Sequence, residues 1–231
     1  LGFRGDLSSS LSWDVFGSYG QSENIQTIQG YTLNSRVQDS LMANTTDSCF
    51  SGTAAGCVPV DWFGPTGNAT WTPEAIDFLS DNSTVRTKVS MAQVRGTLSG
   101  DVGFTSPLGS EPIAFAVGGE YRRYTASQQS DTLAAAGDLG GSGGASPNIS
   151  GGYDVYEAFG ELIVPLIQDK PFFEDLTIEG GIRYSSYTVD TAGKPGFNTT
   201  TWKVGGSWTP VRDIKFRGNY ARAVRAPNIE E

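Results

Sequence analysis

Residues 175–189 read DLTIEGGIRYSSYTV, and the alternation in this stretch decides the fold. Ile178, Gly180, Ile182 and Tyr184 fall on one face of an extended chain, while Thr177, Glu179 and Arg183 fall on the other, because successive side chains of a strand point to opposite sides. The same sorting recurs in both directions from here. Trp202, Val204, Gly206 and Trp208 oppose Lys203 and Ser207; Phe216, Gly218 and Tyr220 oppose Lys215, Arg217 and Asn219; Ala92, Val94, Gly96 and Leu98 oppose Gln93, Arg95 and Asp101. Charge stays on one side of each segment, so the apolar side can meet lipid while the charged side lines a wet, filled interior. A sandwich whose core takes the apolar face is the competing arrangement, and periodicity alone does not separate the two. Small residues help to separate them. A face reading Ile-Gly-Ile-Tyr or Trp-Val-Gly-Trp packs a two-sheet core poorly, whereas lipid fills its gaps without leaving cavities.

Working outward, period-two stretches bounded by turn residues predict strands over 1–7, 11–29, 84–102, 112–127, 153–167, 175–189, 199–210 and 213–224. Twelve residues at about 3.3 Å each suffice to cross a bilayer at a tilt. The connections alternate short and long: 8–10, 30–83, 103–111, 128–152, 168–174, 190–198 and 211–212. Outer-membrane barrels sort their loops in this way, with short turns inside and long loops outside, and sandwiches have no reason to. Trp13, Tyr19, Tyr121, Tyr184 and Trp208 lie near strand ends, where an interfacial girdle would put them. The expected fold class is therefore all-β: an antiparallel transmembrane β-barrel segment, about eight strands of a larger barrel, with short helices in a long outer loop. Eight strands could also close on themselves, but the first is too short to span and one loop is very large.

Composition narrows the function classes. With 30 glycines and 11% aromatic residues in 231, the chain leans towards a turn-rich β architecture, since glycine usage averages about 7%. No run reaches the roughly 18 to 20 apolar residues of a membrane helix, so any spanning is by strands. A mean hydropathy of -0.26 does not contradict this, because strands that alternate lipid-facing and lumen-facing residues average out as moderately polar. The net charge of -9, without any Lys/Arg cluster, argues against nucleic acid as a partner. Histidine is absent, which removes Ser-His-Asp and Cys-His nucleophilic sites and the commonest transition-metal ligand. Glu157 and Glu161 share a strand face at about 13 Å, beyond the roughly 5 to 9.5 Å of glycosidase carboxylate pairs. GDLGGSGGASPNISGG (137–152) lacks the Lys-Ser/Thr of a phosphate loop and reads as a flexible outer loop. No enzymatic activity, metal or cofactor is expected.

The long loop, 30–83, carries two predicted helices. One covers 35–43 with Val37 and Leu41 on its apolar side; the other covers 72–80, with Thr72 as N-cap and Pro73 at the first helical position. Cys49 and Cys57 lie close together in a polar, Gly- and Ser-rich stretch and read as one disulfide in an oxidising compartment; two unrelated free thiols are the alternative. Such a bridge would contribute about 2.5 kcal/mol, enough to order a loop. Trp62, Phe63 and Trp71 are candidates for a stacking surface towards a ligand, against the alternative that they pack the loop's own core. Leu1 to Ser10 lack the pattern of a signal peptide, and the far end follows a strand pattern without a cap, so both ends are expected to be cuts.

Residues 216–228, FRGNYARAVRAPN, closely resemble the strand-and-turn signature of TonB-dependent outer-membrane receptors, an aromatic-Ser-Arg-x-Phe-Arg-Ala-Pro-Asn/Ser stretch near the outer side of the barrel. Tyr220, Arg222, Arg225, Ala226, Pro227 and Asn228 match, while Ala221 and Val224 replace the commoner Ser and Phe. The resemblance extends through GYTLNSRVQDSL (30–41), GCVPVDWFG (56–64), TPEAIDFL (72–79), VGGEYRR (117–123) and residues 153–187, so it covers nearly the whole chain. It implies a plugged barrel of about 22 strands in the bacterial outer membrane, of which this chain supplies middle strands and outer loops. It further implies uptake of a scarce nutrient, such as an iron chelate, a cobalamin-like compound or an oligosaccharide, driven by the TonB complex through an N-terminal part. That part, the plug and the terminal aromatic strand are expected to lie outside this chain. The implied partners are the TonB complex, a small-molecule or oligosaccharide ligand and outer-membrane lipid. A secreted β-sandwich binding or adhesion module is the alternative from another class.

Overall fold

The computed structural model describes residues 1–45, 47–64 and 71–224. Its main sheet comprises β1 (Gly2–Ser8), β2 (Leu11–Thr32), β5 (Ser80–Thr105), β6 (Pro112–Ser130), β7 (Ile149–Lys170), β8 (Phe173–Val189), β9 (Gly196–Val211) and β10 (Ile214–Arg222). The eight strands lie in the order β1-β2-β5-β6-β7-β8-β9-β10, so neighbours in the sheet follow one another along the chain. Among the described residues β1 and β10 are its open edges. A separate two-stranded hairpin joins β3 (Ala43–Thr45) to β4 (Ser48–Cys49), and three short helices complete the chain: α1 (Asn34–Leu41), α2 (Pro73–Leu79) and α3 (Thr132–Ala136).

Several strands outrun the alternation that predicted them. β5 holds 26 residues, from Ser80 to Thr105, against an expected 84–102. Its additional ends, SDNS and GFT, carry no apolar period, yet backbone pairing continues because a ladder needs N–H and C=O groups rather than a particular side chain. The connections consequently shrink to 9–10, 33–79, 106–111, 131–148, 171–172, 190–195 and 212–213. Segment 106–111 is no shorter than 190–195, so loop asymmetry rests on the two largest loops. It is also stitched to β7: Ser106 Oγ donates to the Leu166 carbonyl, Gln168 N–H to the Leu108 carbonyl, and the Ser110 and Glu111 N–H groups to Gln168 Oε1, all at 2.9 Å.

The chain divides into two compact units. One contains Leu1–Gln21, Ser90–Ala126 and the chain from Gly151 onward; the other contains Ser22–Val89 and Ser127–Ser150. In the first unit, Ile178, Gly180 and Ile182 pair with Gly206, Val204 and Trp202 across β8 and β9, and Gly218 and Tyr220 pair with Gly206 and Val204 across β9 and β10. These residues form one apolar face, and it is bare: Ile182, Val204 and Tyr220 are 58%, 47% and 67% exposed. A sandwich would bury them between two layers. Aromatic rings cluster at both limits of this face. Trp202 and Tyr220 sit 5.4 Å apart at one end, while Trp208 lies 6.0 Å from Phe173 and 5.7 Å from Phe216 at the other, as in the paired girdles of a membrane barrel.

The second unit is built in the usual soluble manner, with small apolar cores. Val60, Ala75, Phe78 and Leu79 are buried together in one, and Leu33, Ala134 and Leu139 in another.

Candidate functional site

Strand parity places a second set of side chains on the face opposite the apolar one. Gln93 and Arg95 of β5, Glu120 and Arg122 of β6, Glu157 and Phe159 of β7, and Arg183 and Ser185 of β8 converge there. Glu157 is buried and fully engaged: it accepts from Arg122 Nη2 at 2.6 Å, from Arg183 Nη1 at 3.2 Å and from Ser185 Oγ at 2.5 Å. Glu120, also buried, accepts from Gln93 Nε2 at 2.6 Å and pairs with Arg122 Nε at 3.4 Å. The Arg95 and Arg183 guanidinium groups lie 4.7 and 5.1 Å from the centroid of the Phe159 ring, at cation–π distance. Gly118 makes room for that ring, which comes within 2.5 Å of where a Cβ would stand.

Glu161, four residues further along β7, is held by Lys203 Nζ at 3.1 Å. Glu157 and Glu161 therefore have separate cationic partners, Arg122 of β6 and Arg183 of β8 for the first and Lys203 of β9, two strands away, for the second. These charges answer one another, because cross-strand pairing brings acids and bases from nearby strands within reach.

The outer-loop candidates are positioned by the second unit. Thr72 Oγ1 caps α2 by accepting the Ala75 N–H at 3.3 Å, and Pro73 occupies the first turn, as the sequence predicts. This aims Ala75, Phe78 and Leu79 at Val60, with Val37, Cys57, Val58 and Trp62 packed around them. Trp62 is thus part of the loop's own core, and its Nε1 donates to Ser40 Oγ at 2.9 Å. Trp71 meets it edge-on, at 5.1 Å and 83°, with its own surface partly open. Phe63 is 94% exposed. Trp62 and Trp71 are brought together, and Phe63 stands apart from them. Cys49 and Cys57 form a disulfide with S–S 2.05 Å, tying the β3–β4 hairpin to the segment that enters the core at Val58 and Val60.

A lock between two loops has no signal in the sequence reading. Leu33 bridges Leu139, the Asn34 N–H donates to the Asp138 carbonyl at 2.8 Å, and the Gly140 N–H donates to the Thr32 carbonyl at 2.7 Å. Asp138 also caps α1 from the other loop, accepting from Ser35 N–H at 2.7 Å and Ser35 Oγ at 2.6 Å, where α1 has no side-chain cap of its own. The glycine-rich run expected to be a flexible loop is pinned at its start by these bonds. Helix α3 was missed, although its signals were present: Asp131 accepts the Ala134 N–H at 2.9 Å as N-cap, and Gly137 closes the helix at φ +76°. Asp131 also accepts the Thr84 N–H at 2.5 Å. Burial alone would raise its pKa, but the Ala134 and Thr84 N–H groups outweigh that and hold the carboxyl below its ordinary value.

Of the terminal motif, Tyr220 and Arg222 lie in the last residues of β10, away from the 212–213 turn, with the Tyr220 ring tilted at 46° to that of Trp202 and Arg222 in register with Trp202. Arg225, Ala226, Pro227 and Asn228 lie outside the described residues.

Neither a curated protein nor a solved structure matches the chain. A family model does, that of the TonB dependent receptor-like β-barrel, over residues 1–231. The match agrees with an open antiparallel sheet whose apolar face is exposed and whose opposite face carries buried ion pairs. By that match along its whole length, the chain belongs to the TonB-dependent receptor β-barrel family.

Proposed function

We propose that the receptor to which this chain contributes takes up a scarce nutrient across the bacterial outer membrane, with energy supplied through the TonB complex. The ligand classes are an iron chelate, a cobalamin-like compound or an oligosaccharide. In this reading residues 1–231 are one partial barrel domain made of middle strands and outer loops. The segment 30–83, with its disulfide, lies on the extracellular side, and the plug, the TonB-contacting part and the C-terminal strands belong to the rest of the protein. Phe63 and Trp71 offer ring surface to the ligand, and Trp62 backs Trp71 from the loop core. Tyr220, Arg222, Arg225, Ala226, Pro227 and Asn228 serve as the motif that ends a strand near the outer rim. The protein acts as a transporter and not as an enzyme.

The observation that carries this reading is the inverted distribution of side chains in the first unit, apolar outward and ion-paired inward, taken with the family match. A wall between lipid and a polar lumen makes that arrangement favourable. The test is a deletion strain grown with a limiting supply of single nutrients: ferric chelates, cobalamin and oligosaccharides. One nutrient should fail to support growth until the full-length gene is restored. Rescue should vanish when the inner-membrane proton gradient is collapsed or TonB is removed, and uptake that persists under either condition would overturn the proposal.

A further inference from the structure

Beyond the ionic network, the inward face carries four aromatic rings on four adjacent strands. Tyr124 of β6 and Tyr153 of β7 stack at 4.9 Å and 27°, Tyr153 and Tyr187 of β8 are 6.4 Å apart at 44°, and Tyr187 stacks on Phe197 of β9 at 4.6 Å and 6°. Parity puts them on the side of Glu120, Arg122, Glu157, Arg183 and Ser185, away from the lipid-facing set. Register sets their height. Tyr187 pairs with Val155 and Phe197, three residues past Tyr184 of the apolar face, towards the 190–195 connection and away from the tight turns at 171–172 and 212–213. The row therefore lies on the lumen side at the end where a family member admits its ligand.

Its chemistry is amphipathic and uncharged. All four rings are partly exposed, and among the described residues the hydroxyls of Tyr124, Tyr153 and Tyr187 make no hydrogen bond to protein. The cation beside the row, Arg122, lies 5.9 Å from the Tyr124 ring and is already paired with Glu157 and Glu120. An anionic ferric chelate calls for unneutralised Arg or Lys, which the row does not offer, and the chain's net charge of -9 opposes it further. Strands about 4.8 Å apart spread four rings over about 14 Å, room for about three sugar residues in line. A pyranose has the matching character, an apolar C–H face with a hydroxyl rim. Cross-strand ring pairing supports the sheet, and the phenol rim adds donors and acceptors that the pairing leaves open to a ligand's hydroxyls.

We infer that Tyr124, Tyr153, Tyr187 and Phe197 form a binding subsite for an uncharged oligosaccharide, with C–H faces on the rings and sugar hydroxyls on the phenols. This inference rests on the receptor reading above and narrows its ligand to one class. The experiment uses the full-length receptor in detergent, titrated calorimetrically with maltohexaose, cellohexaose, xylohexaose and laminarihexaose. At least one of these glycans binds, Tyr187→Ala weakens it about tenfold, and Tyr187→Phe weakens it about threefold. Heat-modifiable mobility on gels checks that each variant is folded. If the alanine variant does not fold, the triple variant Tyr124→Phe, Tyr153→Phe, Tyr187→Phe decides, since it keeps every ring and should still weaken binding. Failure of all four glycans to bind, or unchanged affinity in the folded variants, overturns the subsite. Energised uptake of a ferric chelate alone would overturn it while sustaining the receptor reading. Glycan binding without energised uptake of any nutrient would sustain the subsite and overturn the receptor reading.

Discussion

The two compact units bury different mixtures: the first hides carboxylates and a serine beside Val155 and Phe159, the second mostly apolar side chains beside Ser40 and Ser83. In the first, Ile178, Ile182, Val204 and Tyr220 are bare, while Glu120, Glu157 and Ser185 are buried among ion pairs. In the second, Val60, Phe78, Leu79, Leu33 and Leu139 are buried, and helix caps and charged pairs lie outward of them. One chain with one average composition supports both, because the medium that each face meets determines what burial stabilises. Where hydrocarbon is outside, an apolar side chain gains nothing by turning inward, and polar groups gain by finding one another. Where water is outside, apolar surface leaves it at about 25 cal/mol per Å².

The sharpest way to break this comparison is to place a charge on the bare face. Ile178→Arg in the full-length receptor should cost about 2 to 4 kcal/mol, read from urea-dependent folding into lipid vesicles; a change within about 0.5 kcal/mol would mean that the face is an ordinary wet surface. Next comes Phe78→Ala in the other unit, expected to cost about 3 kcal/mol through a cavity in the small core. Limited proteolysis should find 33–79 opened, while the heat-modifiable mobility of the barrel is unchanged. Loss of both together would deny that the two regions are stabilised separately.

Smaller effects sharpen the picture within the loops. Cys49→Ser should weaken the same loop by about 2.5 kcal/mol, with hydrogen exchange quickened around the β3–β4 hairpin and not in β7 to β9. Asp138→Ala should cost about 1 kcal/mol by uncapping α1 from across the loops, and its signature is faster exchange at Ser35 in particular. The smallest effect is in pH. Because the folded pKa of Asp131 is depressed, its contribution is fully present above the unfolded value of about 3.9 and is lost as pH falls through the lower folded value. Exchange of the Thr84 and Ala134 amides should quicken only in that acid range, and Asp131→Asn should remove the dependence.

Much of the fold was open to sequence reading because a strand reports its faces every second residue. That is how Ile178 to Tyr184 and Trp202 to Trp208 could be assigned to one side, and how Thr72 and Pro73 could be assigned to a helix start. Helix α3 was equally available from Asp131 and Gly137, but a glycine-rich surrounding masked it. Trp62 could not be placed from sequence alone, since a tryptophan in a loop suits a ligand or a core equally well, and only the hydrogen bond to Ser40 and the packing on Phe78 put it in the core.

The sequence by itself determined the period, the two-faced strands, the order of turns and loops and the family, all of which depend on neighbours a few residues apart. The tertiary structure alone decided the Glu157 cluster, the capping of α1 by Asp138 and the row from Tyr124 to Phe197. Each depends on register between strands or on contact between loops far apart in the chain. A shift of one residue in pairing would turn those rings and carboxylates to the other face, and nothing local to any one of them records which pairing forms.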